Sequence, residues 1–376
     1  MSVFKVLMVD SEREWRGGQE QIRLLMRGLC ERGVEVALAA PRDSALLARA
    51  AELDVTRIGC DIRSRGPAGV LSMRRLLRAG AWDIVHSHAS RAHSTVALAR
   101  IGLKPRAVHV VSRRVQSAMK REPLARWKYR RGADAYIAIS ERIRELLLAG
   151  GIPAARVHVA HSGIDLAKFA TLRDAAAVRS ELGCGPGDEL VGTVGALTPE
   201  KAHADLLRAA ERVLARRPRV RFIMVGDGPL RAVLERQAEA GGIAGQVTWT
   251  GFRPDALDLL GAFDVFVMCS TQEGLGTSIM DAQAAGVAVV ATRTGGIPEI
   301  VTDGTSGLLV PAGAPELLAA AIERLLTEPE LRAGCISGGR ERAAGYDYRH
   351  MVHKTLDVYR RLCDKSDLPS TKDAIA

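Results

Sequence analysis

The sequence predicts an α/β protein of two successive domains, each built on a doubly wound parallel sheet. Short runs rich in Val, Ile and Ala alternate with helical stretches such as Gln19–Glu31 along the 376 residues. This alternation is typical of parallel strands joined by helices that cover both faces of a sheet. Glycine-rich turns follow several of the runs, mostly in the second half. Because ligands of such sheets bind beyond the carboxyl ends of the strands, these turns are candidate binding loops.

Each half contains six predicted strands. In the first half they cover Phe4–Val9, Val34–Ala39, Asp83–His86, Ala107–Val111, Ala135–Ile139 and Val157–Ala160. In the second half they cover Leu190–Val194, Arg221–Val225, Val247–Thr250, Val265–Cys269, Val287–Ala291 and Leu308–Val310. We therefore predict a first domain at residues 1–165 and a second at 166–345. A helix at 346–364 is predicted to pack back on the first domain, followed by a flexible tail at 365–376.

Composition argues against several classes of protein. No apolar run reaches the ~20 residues of a membrane span, and the first predicted strand starts too early for a signal peptide. Six scattered cysteines without a C-x-x-C pair predict reduced thiols in a cytosolic protein, with no metal site. His86 and His88 are expected to be hydrogen-bonded strand-end residues, since no third metal ligand is evident. Gly226-Asp-Gly228 lacks the third glycine of a dinucleotide fingerprint, so no cofactor is expected.

Positive charge is concentrated in the first half. Residues 1–165 carry 29 Lys and Arg against 16 Asp and Glu, whereas the remainder carries 24 against 27. From Arg100 to Arg131, eleven cations face one acid, Glu122, and Trp127 and Tyr129 lie among them. This mixture favours an anionic membrane surface or a phosphorylated lipid as partner. Nucleic acid is not expected, since no zinc-finger or RNA-binding motif accompanies the charge. A solvated basic face is the alternative.

The segment from Glu273 to Asp281 predicts a binding site for a phosphorylated ligand. It joins the strand ending at Cys269 to a helix that starts at about Gly276, and the N–H groups of such a helix end attract anions. The residues suited to contact a phosphate are Gly274, Gly276, Thr277 and Ser278. The carboxylates of Glu273 and Asp281 flank this site and suit a ligand with hydroxyl groups on both sides of a phosphate. A nucleotide-sugar has that shape. Alternatively, both acids are solvated charges on an ordinary turn.

The order of the motifs in the second half resembles the retaining glycosyltransferases of family 4, which share the two-domain GT-B architecture. The match covers about residues 190–310. Its segments are Val194-Gly-Ala-Leu-Thr-Pro-Glu-Lys201, Val225-Gly-Asp-Gly-Pro229, Gly251-Phe-Arg253, Glu273 with Asp281-Ala-x-Ala-x-Gly286, and Gly295-Gly-Ile-Pro-Glu299. The first half matches more weakly, through Gly17-Gly18 and His161-Ser-Gly-Ile-Asp165.

The resemblance implies roles for individual residues. Glu273 is expected to bind hydroxyls of the donor sugar, and Lys201 to stabilise the leaving diphosphate. The donor-binding residues that it implies are Gly18, Arg253, Gly274, Leu275, Gly276, Thr277 and Asp281. Three positions depart from the family pattern. Asp281 stands where Glu is usual, Ala196 where Arg is usual, and Arg113 where His is usual. Arg113 or Arg114 is therefore a candidate for binding the diphosphate or the acceptor, or belongs to the basic surface.

The sequence thus predicts a metal-independent, retaining glycosyltransferase. It would transfer a sugar from a nucleotide-sugar to a glycan or lipid-linked acceptor, in bacterial cell-surface polysaccharide or lipopolysaccharide synthesis. It is expected in the cytoplasm, peripherally bound to the inner face of the cell membrane. Two alternatives stay open: an epimerase of GT-B fold, which needs no acceptor, and a non-catalytic protein that binds sugar-nucleotides or glycans.

Overall fold

The computed structural model describes residues 4–62, 67–104, 106–116 and 122–363, and the chain folds there around two parallel sheets. The first unit runs to Gly163 and includes the C-terminal helix from Tyr348, whereas the second covers Ile164–Asp347. The predicted fold class, two Rossmann-like α/β domains, is confirmed. Within the described ranges, no helix is both long and apolar enough to cross a membrane.

The sheet of the first unit has the strand order β3-β2-β1-β4-β5-β6-β7, and all its pairings are parallel. Its strands are β1 (Lys5–Val9), β2 (Glu35–Ala40), β3 (Thr56–Gly59), β4 (Ile84–Ser87), β5 (Val108–Arg113), β6 (Ala135–Ala138) and β7 (Val157–Val159). The edge strand β3 is not predicted from the sequence. Its side chains are exposed or half-buried, so it lacks the apolar run that marks the other strands.

Helices cover both faces of this sheet. They are α1 (Gly17–Cys30), α2 (Ala45–Arg49), α3 (Pro67–Ala79), α4 (Ser90–Ala99), α5 (Pro123–Arg131), α6 (Glu141–Ala149) and α15 (Tyr348–Cys363). Because successive strand residues point to opposite faces, Val6 and Met8 pack with α1 and α15. Leu7 and Val9 pack with α3 and α4 on the other face.

The C-terminal helix α15 is held to the first unit by close packing and by a buried hydrogen bond. A Cβ atom added at Gly28 of α1 would lie 2.5 Å from Cγ2 of Val352, so the two helices approach at a residue that must be small. The Tyr359 hydroxyl lies 2.6 Å from Nδ1 of His86, and Nε2 of His86 lies 2.8 Å from Oγ of Ser112. His86 is therefore a hydrogen-bonded residue of the sheet.

The second unit has the strand order β10-β9-β8-β11-β12-β13, again all parallel. The strands are β8 (Glu189–Val194), β9 (Val220–Val225), β10 (Val247–Gly251), β11 (Val265–Met268), β12 (Ala288–Thr292) and β13 (Leu308–Val310). The helices are α7 (Ala175–Glu181), α8 (His203–Arg216), α9 (Arg231–Ala240), α10 (Ala256–Gly261), α11 (Thr277–Ala285), α12 (Ile297–Ile300), α13 (Pro315–Thr327) and α14 (Pro329–Ala344). The strand order reverses between β8 and β11, where open α/β sheets bind ligands.

Candidate active site

Two loops meet at this switch point and bring Lys201 and Glu273 together. Lys201 ends a short 3₁₀ turn after β8, and Glu273 lies in the loop after β11. The Nζ atom of Lys201 donates to Oε2 of Glu273 in a close ion pair. Only 24% of the Lys201 side chain and 15% of the Glu273 side chain are exposed. The two residues predicted to be catalytic are therefore in direct contact in a largely desolvated position.

The Glu273 carboxylate is oriented by its own loop. Its Oε1 accepts the N–H of Gly274 at 3.2 Å, and its Oε2 accepts the Ser270 hydroxyl at 3.4 Å. The main-chain carbonyl of Glu273 accepts the N–H of Gly296 at 3.2 Å, which ties this loop to the Gly295-Gly296 turn. These contacts fix both the backbone and the carboxylate of Glu273.

The loop then leads into α11 through Gly276. Gly276 has a φ of +96°, and a Cβ atom there would lie 3.2 Å from Cδ1 of Ile279 and 3.3 Å from Sδ of Met268. A larger residue would therefore be strained in both backbone and packing. No side-chain hydrogen bond caps α11 among the described residues. Its first N–H groups, beginning at Thr277, are suited to bind an anion.

Other predicted donor-site residues surround this helix end. Gly274 and Leu275 are buried in the loop, and Asp281 lies one turn into α11 and is half-buried. The hydroxyl of Ser278 donates to the Val194 carbonyl at 3.3 Å, so it ties α11 to β8 and does not cap the helix.

Arg253 follows the edge strand β10, two strands away from β8. Its Nε donates to Asp255 at 2.7 Å, and a terminal nitrogen donates to Glu181 at 2.7 Å. The hydrogen bonds to Asp255 and then Glu181 raise the pKa of Arg253 above its usual range. Its guanidinium is thus engaged by two carboxylates.

In the first unit, Gly18 and Arg114 lie side by side. A Cβ atom at Gly18 would be 3.9 Å from Cδ of Arg114, whose guanidinium donates to the Ser162 hydroxyl at 3.3 Å. Burial lowers the pKa of Arg114 to about 10. Burial also raises the pKa of the nearby Asp10 to about 6, and this carboxyl accepts from Gln19 at 3.2 Å. Sequence reasoning missed Asp10 and Gln19, although an acid directly after an apolar strand was an available signal.

Arg113 and Tyr129 are not part of a solvated basic surface. Arg113 is only 7% exposed, and its guanidinium donates to the Tyr129 hydroxyl at 2.8 Å. The Tyr129 ring packs against the ring of His93, with 5.4 Å between centroids. The hydroxyl and the ring of Tyr129 are thus engaged within the first unit, and the side chain is half-buried.

The run from Arg100 to Arg131 does not form one basic face either. Arg100 is buried and pairs with Asp134, which also pairs with Arg106 at 3.1 Å. Lys128 donates to the Ser90 carbonyl at 2.8 Å. The cations of α5 that are exposed to solvent are Arg126, Arg130 and Arg131. Lys120 and Arg121, counted in the predicted run, lie outside the described residues.

We searched the described residues for side chains that could together bind a metal ion. There, no group of three or more His, Cys, Asp or Glu side chains is arranged to hold a metal ion.

Comparison with known proteins assigns the chain to a family. A family model described as "Glycosyl transferases group 1" matches residues 175–342, and one described as "Glycosyltransferase Family 4" matches residues 15–168. A D-inositol 3-phosphate glycosyltransferase of Kribbella flavida is 32% identical over 314 residues, 77% of this chain and 74% of the relative. An alpha-maltose-1-phosphate synthase of Mycolicibacterium smegmatis is 29% identical over 373 residues, 90% of this chain and 92% of the relative.

Solved structures share the fold. HepE of Anabaena in complex with UDP-glucose superposes with a TM-score of 0.85 at 21% identity, over 95% of this chain and 99% of that one. WaaG, a glycosyltransferase involved in lipopolysaccharide biosynthesis, superposes with a TM-score of 0.75 at 15% identity, over 95% and 99%. The chain therefore belongs to the group 1, family 4 glycosyltransferases and has their GT-B fold.

Proposed function

We propose that this glycosyltransferase transfers a sugar from a nucleotide-sugar to a glycan or lipid-linked acceptor, with retention of anomeric configuration. The observation that carries the proposal is the Lys201–Glu273 ion pair beside the uncapped N-terminus of α11. This arrangement combines an ammonium and a helix end, which attract a diphosphate, with a carboxylate suited to sugar hydroxyls.

The donor diphosphate would bind at the first turn of α11. The N–H groups of Leu275, Gly276 and Thr277 would hold its oxygens, and Lys201 would balance the negative charge that grows as the sugar leaves. Asp281 would accept hydrogen bonds from the ribose. We propose that the reaction is metal-independent, because the ammonium and the helix end would neutralise the diphosphate.

Donor binding would rearrange the ion pair. The Glu273 carboxylate forms an ion pair with the Lys201 ammonium. A bound diphosphate would supply a second anion for Lys201, which would leave the carboxylate to accept from the donor sugar. The carbon–oxygen bond to the diphosphate would break ahead of attack, giving an oxocarbenium-like state. The departing phosphate oxygen would take the acceptor proton on the same face, so retention would need no protein base.

The acceptor site would involve the first unit, where Gly18 and Arg114 lie together. The names of the two relatives described above each include a sugar or inositol phosphate. A guanidinium is well suited to bind a phosphate group. Arg113 and Arg114 are therefore our candidates for the acceptor or the donor diphosphate. We also propose a place in cell-surface polysaccharide or lipopolysaccharide synthesis; WaaG, which shares the fold, is involved in lipopolysaccharide biosynthesis.

We also propose peripheral binding to the inner face of the cell membrane through α5. The support is the exposed trio of Arg126, Arg130 and Arg131 beside Trp127, which lines the same groove. Basic side chains near an anionic surface each add about 1 kcal/mol of attraction. Arg100 and Arg113, which are buried, would take no part.

The function is tested by screening nucleotide-sugars for thermal stabilisation and then following product with candidate acceptors. A donor at 100 times its Kd should add about 2.7 kcal/mol to stability. The matched control is Glu273→Gln, which should still be stabilised by the nucleoside diphosphate but transfer no sugar. Conversion of the donor to its epimer without an acceptor would identify an epimerase. Binding without any turnover of the donor would identify a non-catalytic protein.

A further inference from the structure

The turn that carries Lys201 is tied to the loop that carries Glu273 by hydrogen bonds between the main chains. The N–H of Thr271 donates to the Glu200 carbonyl at 2.8 Å, and the Thr271 hydroxyl lies 3.3 Å from the same oxygen. These bonds join the residue before Lys201 to a residue two positions before Glu273. The two loops therefore form one connected unit around the ion pair.

Cys269 supplies a second tie, and it reaches Lys201 itself. It directly follows β11, is 2% exposed, and its Sγ atom lies 3.2 Å from the Lys201 carbonyl oxygen and 3.3 Å from that of Ala202. A thiol has one proton to donate, so the two carbonyls share it. Burial raises the pKa of this thiol to about 12, which keeps it a donor at neutral pH.

The backbone at this point is strained. Ala202 has a φ of +51° and a ψ of +37°, the left-handed conformation that side chains other than glycine disfavour. It lies between Lys201 and the first residue of α8, so its conformation sets the direction in which the chain leaves Lys201. Such strain persists where surrounding contacts hold it, often at functional sites. The thiol of Cys269 contacts the carbonyls before and after the α-carbon of Ala202.

The Lys201 side chain has a defined path from this anchor. A Cβ atom added at Gly195 would lie 3.9 Å from Cε of Lys201, so the lysine chain runs past a residue without a side chain and ends at Glu273. A shift of the Lys201 backbone would move the ammonium relative to the first turn of α11. Placement errors of about 1 Å in a catalytic group can cost on the order of 100-fold in rate.

We propose that Cys269 is a positioning residue for the transfer reaction. Its thiol would hold the main chain at Lys201 so that the Lys201 ammonium meets the leaving diphosphate. This inference rests on the proposed function, in which Lys201 stabilises that diphosphate. Cys269 touches no reacting atom and acts through Lys201. Simple filling of the core by the thiol is the competing explanation.

The first test compares Cys269→Ala with Cys269→Ser in the full chain. Alanine removes the thiol that donates the hydrogen bond, so kcat should fall about tenfold, with little change in KM for the nucleotide-sugar. This loss is smaller than the ~100-fold cost of a displacement of about 1 Å. Serine keeps a donor at the same place and should restore kcat to within about threefold. Equal kcat for wild type and Cys269→Ala, with only a lower melting temperature, would overturn the proposal in favour of core filling.

A second variant separates position from stability. Glycine tolerates the left-handed conformation, so Ala202→Gly should unfold at the same or a higher temperature while kcat falls, because the anchor becomes more flexible. A purely structural role for this turn would leave kcat unchanged.

The decisive measurement adds Cys269→Ala to Lys201→Ala. If Cys269 acts through Lys201, the second change should lower kcat no further. An equal loss in both backgrounds would overturn the proposal. If Lys201→Ala alone transfers sugar at the wild-type rate, the proposed role of Lys201 fails and the positioning role with it. If Lys201→Ala loses transfer but Cys269→Ala transfers sugar at the wild-type rate, only the positioning role fails.

Discussion

The ion pair between Lys201 and Glu273 leads to a prediction in which stability and ligand affinity change in opposite directions. Glu273→Gln keeps the shape of the side chain but leaves the Lys201 ammonium without its carboxylate. Exposed ion pairs contribute about 0–1 kcal/mol, and removing one partner of a fully buried pair costs about 3–5 kcal/mol. Because 24% and 15% of the two side chains are exposed, we expect an intermediate loss of about 1–3 kcal/mol.

The same change should strengthen the binding of a nucleoside diphosphate. In the wild type a phosphate must compete with Glu273 for the Lys201 ammonium, whereas in Glu273→Gln that competition is gone. We therefore expect diphosphate affinity above the wild-type value, together with loss of sugar transfer. Urea unfolding measures the loss of stability, and calorimetric titration measures the affinity for the nucleoside diphosphate.

A double-mutant cycle makes this prediction refutable. Lys201→Met should destabilise the protein by a similar amount, since it removes the ammonium that the Glu273 carboxylate contacts. The double variant Lys201→Met with Glu273→Gln should recover part of the loss, with a coupling energy of about 1–3 kcal/mol. Additive single losses would refute the ion pair as a stabilising contact. Weaker diphosphate binding in Glu273→Gln would show instead that the carboxylate supports the loop.

Three other measurements test separate parts of the structure. Gly276→Ala should cost about 1–3 kcal/mol in urea unfolding and weaken diphosphate binding, because Gly276 has a positive φ and a Cβ atom there would lie only 3.2 Å from Cδ1 of Ile279; unchanged stability would contradict the geometry at the start of α11. Thermal stability should fall as the pH drops below about 6.5, the pKa of histidine in an unfolded chain. Burial lowers the folded-state pKa of His86, His88, His93 and His109. As the pH falls, the histidines of the unfolded chain therefore take up protons before those of the folded protein. This lowers the free energy of unfolding by up to about 1.4 kcal/mol per histidine per pH unit. The raised pKa of Asp10 acts in the opposite direction and offsets the effect of one histidine at most. A melting temperature that stays constant from pH 7.5 to 5 would contradict this. Changing Arg126, Arg130 and Arg131 to Ser should weaken co-sedimentation with anionic vesicles and leave the low binding to neutral vesicles unchanged; equal sedimentation of both proteins would exclude α5 as the membrane surface.

The fold could be predicted because buried parallel strands leave a strong trace in sequence. A strand covered on both faces reads as a continuous apolar run, as in β12, and both sheets are built mainly from such runs. The strand β3 (Thr56–Gly59) leaves no such trace, because an edge strand with exposed side chains gains little from apolar residues. Its pairing with β2 depends on backbone hydrogen bonds, which any residue except proline can make.

The basic run shows the limit of counting charges. Sequence gives the sign and position of a cation but not its exposure. Arg100 and Arg113 lie inside the first unit, where Asp134 and the Tyr129 hydroxyl accept hydrogen bonds from them. Their partners are 34 and 16 positions away, so the pairing depends on strand order and helix packing. Among the described cations of the run, Lys104, Arg106 and three arginines of α5 are exposed to solvent.

The position of the site follows from the topology of the second sheet. β8 and β11 are neighbours, yet the chain builds β9 and β10 on one side before it returns to β11 on the other. Residues that follow these two strands, such as Lys201 and Glu273, are therefore 72 positions apart and still in contact. Their opposite charges form an ion pair. Under the proposed function, a nucleotide-sugar would supply both an anion for Lys201 and hydroxyl groups for Glu273, so one ligand would satisfy both residues as their mutual contact opens.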